Sequence, residues 1–149
     1  MNLFLRKANI MDCDLLFNWA NDEDVRKNSF NQSKILYENH VIWFKNTIEL
    51  NKCIIFILYS YNTPVGQVRI DIEGNCGIID YSIDKMNRGK GYGVEILHIL
   101  EKTIINEKIS IIKLIGNVKY NNIKSQRVFE KNNYKMILEE EYFLYSKEI

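Results

Sequence analysis

The chain is poor in the residues that usually announce special chemistry. It has three cysteines, Cys13, Cys53 and Cys76, isolated from one another and without a C-x-x-C pair. An odd, scattered set argues against a disulfide framework or a structural zinc site and reads as small buried hydrophobes. No apolar run approaches the roughly 20 residues a membrane-spanning helix needs. The opening stretch, MNLFLRKANIMDCD, has early acids and little apolar length, unlike a signal peptide. Twenty Lys and Arg against nineteen Asp and Glu leave a formal charge of +1, without the basic excess of a nucleic-acid binder. There is no linker, repeat or low-complexity block. The expectation is one cytoplasmic domain over residues 1–149, large enough to bury a single core, with no metal, nucleic-acid or membrane partner. A chain so close to neutral can still hold an anion through a local cluster.

What is present is a regular alternation of elements. LFLRKA (3–8) alternates as a strand, and DCDLLFNWAND (12–22) spaces Leu15, Leu16 and Trp19 as a helix that Asp12 can cap. LYENHVIWFKNTIEL (36–50) repeats apolar residues at Val41, Phe44 and Ile48, a second helix. CIIFILYSY (53–61) is a β-branched and aromatic run typical of a buried strand. QVRIDI (67–72) and GIIDYSI (77–83) continue the meander, with a Gly-Asn hairpin turn between them. A helix over 93–107, a strand at 110–118, a helix at 121–133 and two short strands complete a mixed α/β sheet with helices on both faces.

The most informative segment is RGKGYG, Arg88 to Gly93, where a strand passes into a helix. The first turn of a helix offers free N–H groups and the positive end of the dipole. Gly89, Gly91 and Gly93 let a phosphate approach bare backbone, and Arg88 and Lys90 add charge. A dinucleotide fingerprint fails because position 96 is Ile96. A P-loop fails because Asp84 stands five residues before Gly89 and no Ser or Thr follows Lys90.

The spacing that fits is Arg88-x-x-Gly91-x-Gly93. With IDYSIDKMNRGKGYG before it and NNIKSQRVFEKNNY after it, the chain resembles the GNAT superfamily of acetyl-CoA-dependent N-acetyltransferases, whose element order it matches from end to end. The resemblance implies a mostly antiparallel mixed sheet and acetyl-CoA as cosubstrate. Main-chain N–H groups around Ile83 would hold the pantetheine arm and polarise the thioester carbonyl. Residues 88–93, Tyr92 included, would hold the pyrophosphate, and Asn122 would bond the cofactor or cap its helix. Phe129 occupies the position where many members carry a tyrosine that protonates the leaving thiolate. Ser125, one turn earlier, resembles the serine given that role in the ribosomal-protein acetyltransferase branch, and can equally be a capping serine. Tyr134 reads as a core aromatic.

Asp80 is the leading base, provided burial raises its pKa; its ordinary alternative is an ion pair with Arg69. Asp71, Glu73 and His40 are further candidates, although a lone histidine among Val41, Ile42, Trp43 and Phe44 is more often structural. The resemblance puts the acceptor site on the first two helices and their connection, where Arg26, Asn28, His40 and Trp43 suit a polar, ring-shaped or anionic group. NDEDVRKNSFN, PVGQVRID and the asparagine-bearing FEKNNY ending resemble the subgroup acting on UDP-linked 4-amino sugars in nonulosonic-acid synthesis. Rival readings are protein N-terminal acetylation and a non-catalytic acyl-CoA sensor, in a monomer or homodimer.

Overall fold

The structure, a computed structural model, describes residues 2–149. Its elements are β1 (Leu3–Lys7), α1 (Cys13–Ala20), α2 (Glu23–Asn28), α3 (Tyr37–Glu49), β2 (Cys53–Ser60), β3 (Thr63–Glu73), β4 (Cys76–Ile83), α4 (Tyr92–Asn106), β5 (Lys113–Lys119), α5 (Ile123–Lys131), β6 (Lys135–Leu138) and β7 (Tyr142–Glu148). The seven strands form one sheet in the order β1-β2-β3-β4-β5-β7-β6. Every neighbouring pair is antiparallel except β4 and β5. This is the mixed, mostly antiparallel architecture that the resemblance implies.

Strand alternation divides the two cores. On β2 and β3, Phe56, Leu58, Val68 and Ile70 point to the face covered by α4, whose Ile96, Leu97, Leu100 and Ile104 recur at helical spacing and are buried. Ile55 and Ile57 point to the opposite face and pack with Leu16 and Trp19 of α1 and Phe44 of α3. Helix α5 joins the α4 layer through Phe129, which fills the space where a Cβ on Gly116 would stand. Only glycine at that point of β5 lets the ring lie against the strand.

Some boundaries differ from the sequence reading. Strand β3 begins at Thr63 rather than 67, because the β2–β3 connection is a tight hairpin with Tyr61 at φ 54°. Strand β5 starts at Lys113 rather than 110. Helix α2 lies within what reads as a connection; Asp22 caps it, Glu23 and Asp24 fill its first turn, and Arg26 and Lys27 its last. The Gly-Asn hairpin carries its positive φ at Gly74, and Asn133 ends α5 left-handed at φ 66°.

Candidate active site

Among the described residues the sheet has one break between neighbouring strands. β4 and β5 pair only from Cys76 to Ile78 against Lys113 to Ile115. Beyond that, residues 79–83 of β4 and 116–119 of β5 have no partner on the facing edge, so the strands part into a wedge. The phase of the β3–β4 ladder fixes what faces it. The two-residue hairpin pairs Glu73 with Cys76, and the Asp84 N–H donates to the Val65 carbonyl at 2.8 Å. Even-numbered residues of β4 therefore bond β3, and Tyr81 and Ile83 turn their N–H and C=O toward the wedge. The Ile83 carbonyl is taken by Arg88 Nε at 3.0 Å, which leaves the Ile83 N–H directed at the gap.

At the mouth of the wedge stands the N-terminus of α4. Gly91 is its cap, left-handed at φ 83°, and offers no side-chain bond. The N–H groups of Tyr92, Gly93 and Val94 have no acceptor among the described residues. Gly89, at φ 79°, and Gly91 face open space where a Cβ would stand. These two glycines are the ones the left-handed backbone requires. Gly93 has a different function: a Cβ there would meet Val128 at 3.1 Å and Tyr81 at 3.6 Å, so it serves the contact of α4 with α5 and β4. Tyr92 is buried, its hydroxyl 3.3 Å from Ser60 Oγ.

The cations of the loop are placed unequally. Lys90 is exposed, with Nζ 3.4 Å from Asn87 Oδ1. Arg88 is engaged, donating to Asp22 at 2.9 Å and Asp24 at 3.1 Å. It ties the loop to the cap of α2 instead of pointing its guanidinium at the bare amides. Burial raises the Asp22 carboxyl, but Arg88 and the N–H groups of Val25 and Asp24 outweigh it and hold it below the ordinary range. Asn122 has the capping role, its Oδ1 accepting from Ser125 N at 3.3 Å.

On the other face of the sheet lies a cavity of about 330 Å³ between the strands and α1–α3. Its floor is two cross-strand pairs, Gln67 with Ser82 and Arg69 with Asp80. Gln67 Nε2 donates to Ser82 Oγ at 3.2 Å. Arg69 bridges Asp71 at 3.4 Å and Asp80 at 3.6 Å and lies 5.4 Å from the Trp43 ring centre. Burial works against its charge, but Asp80 and Asp71 prevail. Trp43 is part of the wall with one side open to solvent, whereas Trp19 is buried and donates from Nε1 to Asp84 at 2.9 Å.

Several expectations need correction. Asp80 is not desolvated: its side chain is 57% exposed and paired with Arg69, the ordinary alternative. Arg26 lines the cavity but has one of its five N–H donors left for a ligand. It donates to the carbonyls of Ala20, Asn31 and Ser33 and to Ser29 Oγ, and so holds the α2–α3 connection together. Asn28 is exposed and outside the cavity. His40 is a buried wall residue whose Nε2 lies 2.9 Å from the Cys13 carbonyl; burial lowers its pKa and keeps it neutral. Ser125 and Phe129 share the buried face of α5 as their spacing implies, but Phe129 stacks on Tyr145 at 5.4 Å. Reading the sequence missed Gln67, Ser82 and Tyr81. The signal was available: Gln67 and Arg69, and Asp80 and Ser82, are polar residues at alternate positions of otherwise apolar strands.

The family model for the acetyltransferase (GNAT) domain matches residues 2–135. Solved structures superpose over nearly the full chain. A domain from Methanocaldococcus jannaschii gives a TM-score of 0.84 at 22% identity, covering 99% of both chains. An aminoglycoside acetyltransferase in complex with coenzyme A gives 0.81 at 13%, covering 99% of this chain and 95% of that one. A ribosomal L7/L12 alpha-N-protein acetyltransferase in complex with coenzyme A gives 0.84 at 17%, covering 99% and 94%. At these identities the likeness is one of fold. No curated protein matches the chain significantly.

Proposed function

The chain belongs to the GNAT acetyltransferase family, and from that premise we propose that it moves an acetyl group from acetyl-CoA to the primary amine of a small acceptor, a UDP-linked 4-amino sugar. The observation that carries the reaction is the wedge. Among the described residues it is the one place where neighbouring strands part, and it lies between an anion cradle of bare amides at α4 and a polar cavity on the opposite face.

The residues present fit the cosubstrate. Three unpaired amides at a helix start suit a diphosphate, and the open space at Gly89 and Gly91 leaves room for it. Lys90 adds charge without obstructing the backbone. The free edge of β4 suits the amides of an extended pantetheine arm, as in strand addition. Acetyl-CoA supplies an already activated acyl thioester. The protein's task is then mostly placement, which can contribute on the order of 7–11 kcal/mol. The Ile83 N–H, aimed at the gap, is the donor for charge developing on the carbonyl oxygen. Asp80 at the cavity floor, exposed and paired with Arg69 rather than desolvated, takes up through water the proton the amine sheds.

The cavity supports an amino sugar on three counts. Gln67, Ser82 and the Arg69–Asp80 pair can exchange hydrogen bonds with ring hydroxyls. The exposed side of Trp43 offers a flat apolar surface to a pyranose. An aminoglycoside acetyltransferase shares the fold. An acceptor screen with acetyl-CoA tests this reading, comparing UDP-4-amino sugars, N-terminal peptides and simple amines by release of free thiol. Turnover of the UDP-amino sugar at least tenfold above the others is expected. Preference for N-terminal peptides would move the protein to the ribosomal-protein type, and no turnover with any amine would leave a sensor.

A further inference from the structure

Phe129 has no proton to offer, yet one hydroxyl pair stands at the wedge. Tyr81 extends from β4 and Ser125 from the first turn of α5, the helix that follows β5. The Tyr81 hydroxyl donates to Ser125 Oγ at 3.0 Å, so the bond spans the two sides of the opening. The Tyr81 hydroxyl is also 4.0 Å from where a Cβ on Gly93 would stand, just beneath the α4 cradle. A chain running from the cradle to the cavity must pass this pair. Because Ser125 Oγ accepts the tyrosine hydrogen, its own hydrogen is turned away from Tyr81 and has no acceptor among the described residues.

We propose that Tyr81 is the positioning residue that aims the Ser125 hydroxyl at the departing sulfur, so that the two together stabilise by a donated hydrogen bond the thiolate that a tyrosine at position 129 would protonate. The inference rests on the acetyl-transfer reading above. As the nitrogen lone pair forms the C–N bond, the C–S bond breaks and its electron pair stays on sulfur. Ser125 donates a hydrogen bond to that sulfur, and Tyr81 strengthens Ser125 as a donor through the shared chain. The nitrogen gives up one proton to Asp80 or water, and the sulfur takes up one from solvent.

Burial pushes the Tyr81 phenol up to about 12, against the pull of the Ser125 bond. A thiol titrates near 8.5, so handing a proton from Tyr81 to a thiolate is disfavoured by about three powers of ten. A donated hydrogen bond carries no such cost, and the chain stays protonated throughout the working pH range.

The test needs no acceptor. Coenzyme A binding is measured by calorimetry, and the pKa of its bound thiol by thiolate absorbance, with the desulfo coenzyme as reference. In the wild type the bound thiol should titrate about one pH unit below free coenzyme A. Tyr81→Phe and Ser125→Ala should each return it to the free value, the double variant should do no more, and Ser125→Thr should keep it low. Melting temperatures within about 3 °C of wild type confirm that the variants fold; Tyr81→Phe retains the ring and its packing. A bound thiol that Tyr81→Phe does not move, or additive effects of the two changes, would overturn the proposal. Failure of coenzyme A to bind at all would overturn the acetyl-transfer reading, and this inference with it.

Discussion

The two sides of the wedge are made of different materials. The α4 side is main chain: bare amides at residues 92–94 and left-handed glycines at 89 and 91, with few side chains. The α1–α3 side is almost all side chain: Gln67, Arg69, Asp80, Ser82 and Trp43, contributed by two strands and a helix. In the proposed reaction the first holds what every reaction of this kind shares, a diphosphate on an extended arm, for which main-chain geometry suffices. The second must select one amine from many, so its chemistry lies in residues that can change without altering the fold. Arg88 connects the sides, anchored by Nε on the Ile83 carbonyl and by its outer nitrogens on Asp22 and Asp24.

That contrast can be broken deliberately. Gly91→Glu should have the largest effect. It places a carboxylate in the cradle and an L-residue in left-handed backbone, costing roughly 1–2 kcal/mol of stability. Coenzyme A affinity by calorimetry should fall at least a hundredfold, and the rise in melting temperature that acetyl-CoA gives the wild type should vanish. An unchanged affinity would mean that the diphosphate binds elsewhere.

Asp80→Asn acts on the other side. With the accepted amine, kcat should drop about a hundredfold or more, as removal of a general base does, while coenzyme A affinity is retained. A change confined to KM would assign Asp80 to binding alone.

Arg26→Ala separates fold from chemistry. It strips hydrogen-bond donors from three carbonyls and Ser29, and each bond from a charged donor contributes about 1.5–3 kcal/mol. The melting temperature should fall by about 6 °C or more, with coenzyme A affinity unaffected. A variant that melts like wild type but loses the acceptor would restore Arg26 to ligand binding.

The smallest effect concerns the bridge. The Asp22 carboxyl is held below its ordinary value, so its contribution to stability is complete above the unfolded carboxylate pKa, about 3.9. It is lost as pH falls through the lower folded value. Thermal melts from pH 7 to 3 should show an acid-side loss that Asp22→Asn partly removes. No difference between the two proteins would mean that Arg88 finds equal support elsewhere.

How much of this was legible beforehand depended on distance along the chain. The glycine loop is six consecutive residues, and its left-handed turns at Gly89 and Gly91 are local, so spacing alone marked it. The strands and long helices followed from alternation and helical periodicity. Helix α2 escaped because it is short and polar, although its cap and its charge pattern were in view. Arg26 looked like a ligand-binding cation because its carbonyl partners come from the irregular chain around it, and nothing in residue identity records which carbonyls turn inward.

Local rules, which act over a few residues, were written in the chain itself: the bare loop before α4, the apolar faces and the aromatic at position 129. Folding decided the rest. The parting of β4 from β5, the Arg69–Asp80 floor, the engagement of Arg88 by Asp22 and the bond from Tyr81 to Ser125 all join residues far apart in sequence. Such contacts depend on sheet order and register, and those are set by how the whole core packs.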